Sequence, residues 1–222
     1  MTKIEVFEDR LIRCGMKEGD LSEYAVMLNR VHDNFLKLQH CTATAARFKT
    51  QNWEQAVRLI DFGVENYPDS WLGMYTAYRN KGLLFEHAKR YDEAYAAFRK
   101  AEEFVSDKPE YRGDIASQLL WTRMHIDGFM YSEELETYCG EIKGSANPLS
   151  KSFVNNQFRV AVAESIIALH SGDTTLAKQK KEEAKRIASP SCRSNMQDIL
   201  DRHHFEDKLV ITGECKRFLH GI

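Results

Sequence analysis

Proline and glycine are scarce in this 222-residue chain, with 4 and 12 copies, which is too little punctuation for an all-β domain of many tight turns and favours long helices. No window approaches the roughly 20 apolar residues of a membrane span. The opening residues, MTKIEVFEDRLIRCGM, hold no apolar run of the length a signal peptide needs. An excess of either charge is also missing. The 31 basic and 33 acidic side chains leave a net charge of −2, which argues against a dominant nucleic-acid or membrane-surface role. Cys14, Cys41, Cys139, Cys192 and Cys215 are odd in number, widely spaced and without a CxxC. They read as reduced thiols, so a cytoplasmic protein with neither metal nor cofactor is expected. What is present, 43% hydrophobic and 29% charged residues, suffices for a buried core.

Apolar residues recur at helical intervals. Ile4, Phe7, Leu11 and Cys14 predict a short amphipathic helix over 3–14, stopped by Gly15 and Gly19. Asp20 stands where it would cap the next helix, with Glu23 three residues on in the capping-box position. Tyr24, Leu28, Val31, Phe35 and Leu38 then keep one face, with no breaker before about residue 50. This predicts one long helix of roughly 28 residues. Trp53 opens a further helix that ends at Tyr67-Pro68, where the ring cannot continue it. Helix pairs are expected at 75–90 with 91–106, 112–128 with 131–143, and 150–171 with 174–188. A helix over about 191–203 and a closing segment through Phe218 would form a cap.

Residues 75–108 carry the most information. Tyr91-Asp92-Glu93-Ala94, then Phe98 and Ala101, resemble the second helix of a tetratricopeptide repeat. Two helices that cross closely leave room only for small side chains. Thr44, Ala56 and Gly63 offer them in one pair, Gly82, Ala94 and Ala101 in the next, and Ser165, Ala177 and Ala184 in the last, each at intervals of 12 and 7. The third pair departs, with Arg123, Leu135 and Ile142 at those places. The spacings between Ala56, Ala94, Leu135 and Ala177 are 38, 41 and 42 residues. The family repeats at about 34, so longer helices or connections are implied. The likeness spans 37–191 and is close only over 75–108. It implies an all-α fold: a TPR-like right-handed stack of antiparallel helix pairs forming one helical-repeat domain over 1–222. N-terminal helices would occupy 1–36, about four pairs 37–191 and a cap 192–222. Any antiparallel helical bundle is the alternative.

The resemblance also implies binding of a macromolecule along a concave surface. In that register the first helix of each pair contributes Arg79, Asn80, Leu83 and His87, then Leu120, Met124 and Asp127, then Arg159, Val162 and Ile166. An amphipathic helix or an extended peptide would fill such a groove. The plainer reading makes Leu83, Leu120, Met124, Val162 and Ile166 core. The lysine, asparagine and arginine clamp with which family members hold acidic chaperone tails is missing. Cys41 and Ala45 stand at its first-repeat places, Asn80 matches, and Ser117 and Trp121 follow. Trp71, in the connection between two pairs, is the candidate exposed anchor. His203-His204 with Glu206 cannot readily chelate one ion, because neighbours on a helix diverge by about 100°. No phosphate loop, dinucleotide glycine pattern or GxSxG elbow occurs, and Glu86, His87 and Asp127 are the best acid-base group on offer. Lys178, Lys180, Lys181, Lys185 and Arg186, interrupted by Glu182 and Glu183, read as a solvated face. The expected function is non-catalytic recognition of a protein or peptide, without nucleic-acid or membrane partners. An immunity-type protein that masks a toxin's active site and an all-α enzyme are the alternatives.

Overall fold

The computed structural model describes residues 2–48, 52–145 and 152–189, and ten α-helices lie within them. Two compact units divide the chain, Met1–Asp107 and Lys108–Ile222. The first holds α1 (Lys3–Cys14), α2 (Asp20–Leu28), α3 (Asn34–Ala46), α4 (Trp53–Asn66), α5 (Trp71–His87) and α6 (Tyr91–Glu103). The second holds α7 (Pro109–Ile126), α8 (Glu133–Gly144), α9 (Phe153–His170) and α10 (Thr174–Ala188). Helices pack in sequential antiparallel pairs, α3 with α4, α5 with α6, α7 with α8 and α9 with α10. The expected C-terminal cap, with His203, His204, Cys192 and Cys215, lies outside the described residues.

The first helix forms as its spacing requires. Thr2 and Glu5 close a reciprocal capping box, and Phe7 and Leu11 are buried. The second expectation fails at its cap. Gly19, at φ 86°, takes the cap position of α2, and Asp20 is its first helical residue. The Asp20 carboxylate instead accepts both guanidinium nitrogens of Arg10, at 2.7 and 2.9 Å, and the Lys17 amide at 2.7 Å. Charge-assisted bonds of this kind outweigh a single cap contact. The long helix fails too. It is broken over 29–33, where Asp33 accepts the Phe35 amide at 2.7 Å and starts α3 afresh. The break lets α2 lie against α1 while α3 packs on α4. Tyr24, Leu28 and Leu38 stay buried in one core with Phe7, Leu59 and Ile60.

All nine small residues of the three regular pairs are buried. A methyl group on Gly63 would stand 2.8 Å from the Cys41 Cβ, and one on Gly82 would clash with the Phe98 ring edge, 2.4 Å from its nearest carbon. In the last pair the Ser165 hydroxyl donates to the Ala177 carbonyl at 3.2 Å, spanning α9 and α10. The third pair is spaced differently. Arg123 in α7 bonds Asp127 at 2.8 Å and reaches Glu134 of α8 at 3.1 Å, so its side chain occupies the place a small residue takes elsewhere. Close approach has moved to the other end of that pair, where Gly113 faces Ser145.

Gly140 differs from the glycines at these seams. It lies within α8, and a Cβ there would meet nothing within 4 Å among the described residues. Glycine costs a helix interior about 0.8–1 kcal/mol relative to alanine. Gly140→Ala is therefore expected to stabilise the chain by about that amount, read as a higher midpoint in urea unfolding of the full protein.

Candidate functional site

The four residues expected from α5 form a partly solvated strip. Arg79, Asn80 and Leu83 are half-buried and His87 is exposed. Arg79, Leu83 and His87 recur every four residues and share a face. The rest of the helix is held by Gly73, Tyr75, Ala77 and Gly82, all buried. Trp71 is the first residue of α5 and half-buried, rather than a side chain in the connection, because α5 begins four residues before the expected start.

The second unit places its candidates differently. Leu120 and Met124 have no exposure, and Val162 and Ile166 are 1% and 5% exposed. These four are core side chains, in accord with the plainer reading of them, and only opening of the unit would bring them to a ligand. Asp127 is half-buried and accepts Arg123 Nε at 2.8 Å. Arg159 ties α9 to α7. It donates to the Ser117 carbonyl and hydroxyl, each at 3.2 Å, and to Gln118 Oε1 at 2.9 Å. Its guanidinium also lies 5.4 Å from the centre of the Trp121 ring. Ser117 and Gln118 are buried, so Arg159→Ala takes this donor from the Ser117 hydroxyl and from Gln118 Oε1. The expected loss is about 1–3 kcal/mol, read by thermal unfolding. Asp127 and His87 belong to different units, so no acid-base site is built from them within either unit.

One polar cluster went unseen in the sequence. Glu8 of α1 is buried, and its Oε1 accepts the Tyr24 hydroxyl at 2.5 Å and contacts His40 Nδ1 at 2.8 Å. The hydrogen bond to Glu8 raises the His40 pKa above the ordinary imidazole value of 6.5, against partial burial. Burial pushes the neighbouring Cys41 thiol up to about 12, and Cys139 in the second unit likewise to about 12, so both stay protonated near neutrality. Two more ion pairs fix α1, Arg10 with Asp20 and Asp9 with Arg47, both at 2.7 Å. The Met16 amide donates to Gln55 Oε1 at 2.8 Å, linking the segment after α1 to α4.

Among the described residues no group of three or more His, Cys, Asp or Glu side chains is placed to hold a metal ion. No described helix is long and apolar enough to cross a membrane. A cavity of about 310 Å³ opens in the second unit where Phe153, Val160 and Asn156 meet Asp114, Glu164 and Lys180. Glu164 is the hub of an ion network there, pairing with Lys143 and, at 3.0 Å, with Lys180. Comparison of the chain with known protein families, with curated proteins and with solved structures gives no match. Over the described residues the chain is all-helical, with its helices packed in sequential pairs.

Proposed function

We propose that this chain is a non-catalytic recognition module that binds a protein or peptide on a preformed helical surface. The observation that carries the reading is the α5 strip. Arg79, Asn80, Leu83 and His87 offer charge, amide, apolar and imidazole groups along a helix that is held in place by buried Gly73, Tyr75, Ala77 and Gly82. A surface held that way loses little conformational entropy when a partner docks. The buried small residues at matching intervals in three pairs favour a tetratricopeptide-like arrangement of those pairs. The near-balanced charge favours a protein partner over nucleic acid or membrane, and the wide cysteine spacing favours a reducing compartment such as the cytoplasm.

The test is reconstitution. Proteins captured by the full chain are purified singly and titrated against it by calorimetry, alongside a variant carrying Arg79→Glu and Leu83→Asp. A purified partner that binds the native chain and binds the variant at least about tenfold more weakly, with an unchanged unfolding midpoint, supports the reading. No purified partner that binds, or turnover of a small molecule by the chain alone, overturns it.

A further inference from the structure

Gly128 and Phe129 stand at φ 63° and 62° in the turn between α7 and α8. A left-handed backbone is strained for an aromatic residue, so its surroundings must hold it there. They do so on both sides. The Phe129 ring packs edge-on against His125 and Trp121, with centres 4.9 and 6.0 Å apart. Tyr131 lies flat on His170 at the end of α9, with 3.8 Å between ring centres, and its hydroxyl donates to Glu136 at 3.1 Å. Met130 sits between these two anchored rings. It is 70% exposed, the most of any large apolar side chain among the described residues. Leu169, which precedes His170, is 47% exposed. A lone methionine on a surface calls for no explanation, whereas one displayed by a strained and doubly anchored turn does.

The charges around the turn are one-sided. Asp127, Glu133, Glu134 and Glu136 stand there against Arg123, which already pairs with Asp127 and Glu134. Glu133 and Glu136 are exposed and form no ion pair among the described residues. The hydrogen bond to Glu136 raises the Tyr131 pKa and the charge of Glu133 adds to it, so both carboxylates lie beside the turn. They are three residues apart in the first turn of α8 and share its face. Cations three or four residues apart on another helix match that spacing. An acidic rim repels an anionic lipid surface and attracts a basic protein segment. We infer that the α7–α8 turn docks a basic amphipathic helix of a protein partner. Met130 is the anchor that the apolar face of that helix covers, and two of its basic residues meet Glu133 and Glu136. The inference rests on the recognition reading but concerns a different unit and a different surface from the α5 strip.

The probe is a designed peptide of about four helical turns, with leucine along one face and lysines three and four residues apart beside it. A control peptide holds the same residues in scrambled order. Fluorescence anisotropy follows binding to the full chain. The native chain is expected to bind the amphipathic peptide at least about tenfold more tightly than the scrambled one. Met130→Asp is expected to lose at least about tenfold in affinity with an unchanged unfolding midpoint, and Met130→Leu to keep it. Glu133→Lys with Glu136→Gln, which leaves Tyr131 an acceptor, is expected to lose as much. Peroxide is expected to oxidise Met130 in the free chain faster than the buried Met124, and the bound peptide to slow it. Four results overturn the inference. They are no binding of the amphipathic peptide at millimolar concentration, binding that Met130→Asp leaves intact, oxidation of Met130 no faster than that of Met124, and binding to phosphatidylcholine–phosphatidylserine vesicles that Met130→Asp abolishes. A purified partner that Met130→Asp still binds, but that the Arg79→Glu and Leu83→Asp variant loses, rejects this surface and leaves the recognition reading standing.

Discussion

Gly82→Leu lowers the stability of the first unit by about 3 kcal/mol, the upper end of what overpacking a close-fitted core costs. The cause is local and geometric. A Cβ at position 82 would stand only 2.4–2.8 Å from three carbons of the Phe98 ring, and that ring is fully buried in the seam between α5 and α6. Neither helix can back away freely, because α5 is also held on α3 and α4. Gly82→Ala tests the same point with a smaller group. Helix propensity alone would make it stabilising by about 1 kcal/mol. The clash reverses the sign, and the expected net loss is about 1–2 kcal/mol. The two glycine-to-alanine changes, at 82 and at 140, therefore act in opposite directions although both lie inside helices. Urea unfolding of the full chain gives the magnitude, and amide exchange in α5 and α6 locates it. Phe98→Leu makes room, so the double variant should lose less than the sum of the singles. A native midpoint for Gly82→Leu would mean that α5 and α6 do not meet at this seam.

The seams were open to sequence reasoning because smallness is a property of single residues. Ala94 and Ala101 follow Gly82 at set intervals, and burial of all three requires no knowledge of distant partners. The break over 29–33 was not open in the same way. Val31 and Phe35 keep the apolar phase running through it, and the one local mark is Asp33 capping the Phe35 amide. Apolar spacing reports which face is buried and is blind to a bend that preserves that face. The ties of Glu8 were hidden for a different reason. Its partners Tyr24 and His40 lie 16 and 32 residues away, and only the folding back of α2 and α3 brings them together. Arg159 was open to sequence reasoning as a polar residue on α9, but its hydrogen bonds to Ser117 and Gln118 depend on how α9 crosses α7.

Removing the Glu8 carboxylate is the second large effect expected. Glu8→Ala takes from the fully buried Tyr24 hydroxyl the acceptor of its proton and leaves His40 without its carboxylate partner, at a cost of about 2–3 kcal/mol. The same cluster makes the docking of α1 depend on pH. The His40 pKa is raised in the folded chain by its bond to Glu8, so protonated His40 favours the folded state. That contribution is complete below the unfolded value of 6.5 and is lost as pH rises through the higher folded value. Other groups around the site do not share this window. Tyr24 is driven upward by burial and stays neutral, and burial holds the Cys41 thiol near 12. Asp20, bound to Arg10, is held below the usual carboxylate range, and Arg10 is raised, so that pair stays charged throughout. Glu5, the further acidic group near His40, is lowered by its bond to the Thr2 backbone and stays ionised. Amide exchange across α1 is therefore expected to quicken as the solution moves from mildly acidic to mildly alkaline. Glu8→Gln is expected to remove that dependence, because the amide no longer favours the imidazolium. An exchange rate that climbs equally in the native chain and in Glu8→Gln, after correction for intrinsic chemistry, would assign the pH response to some other group.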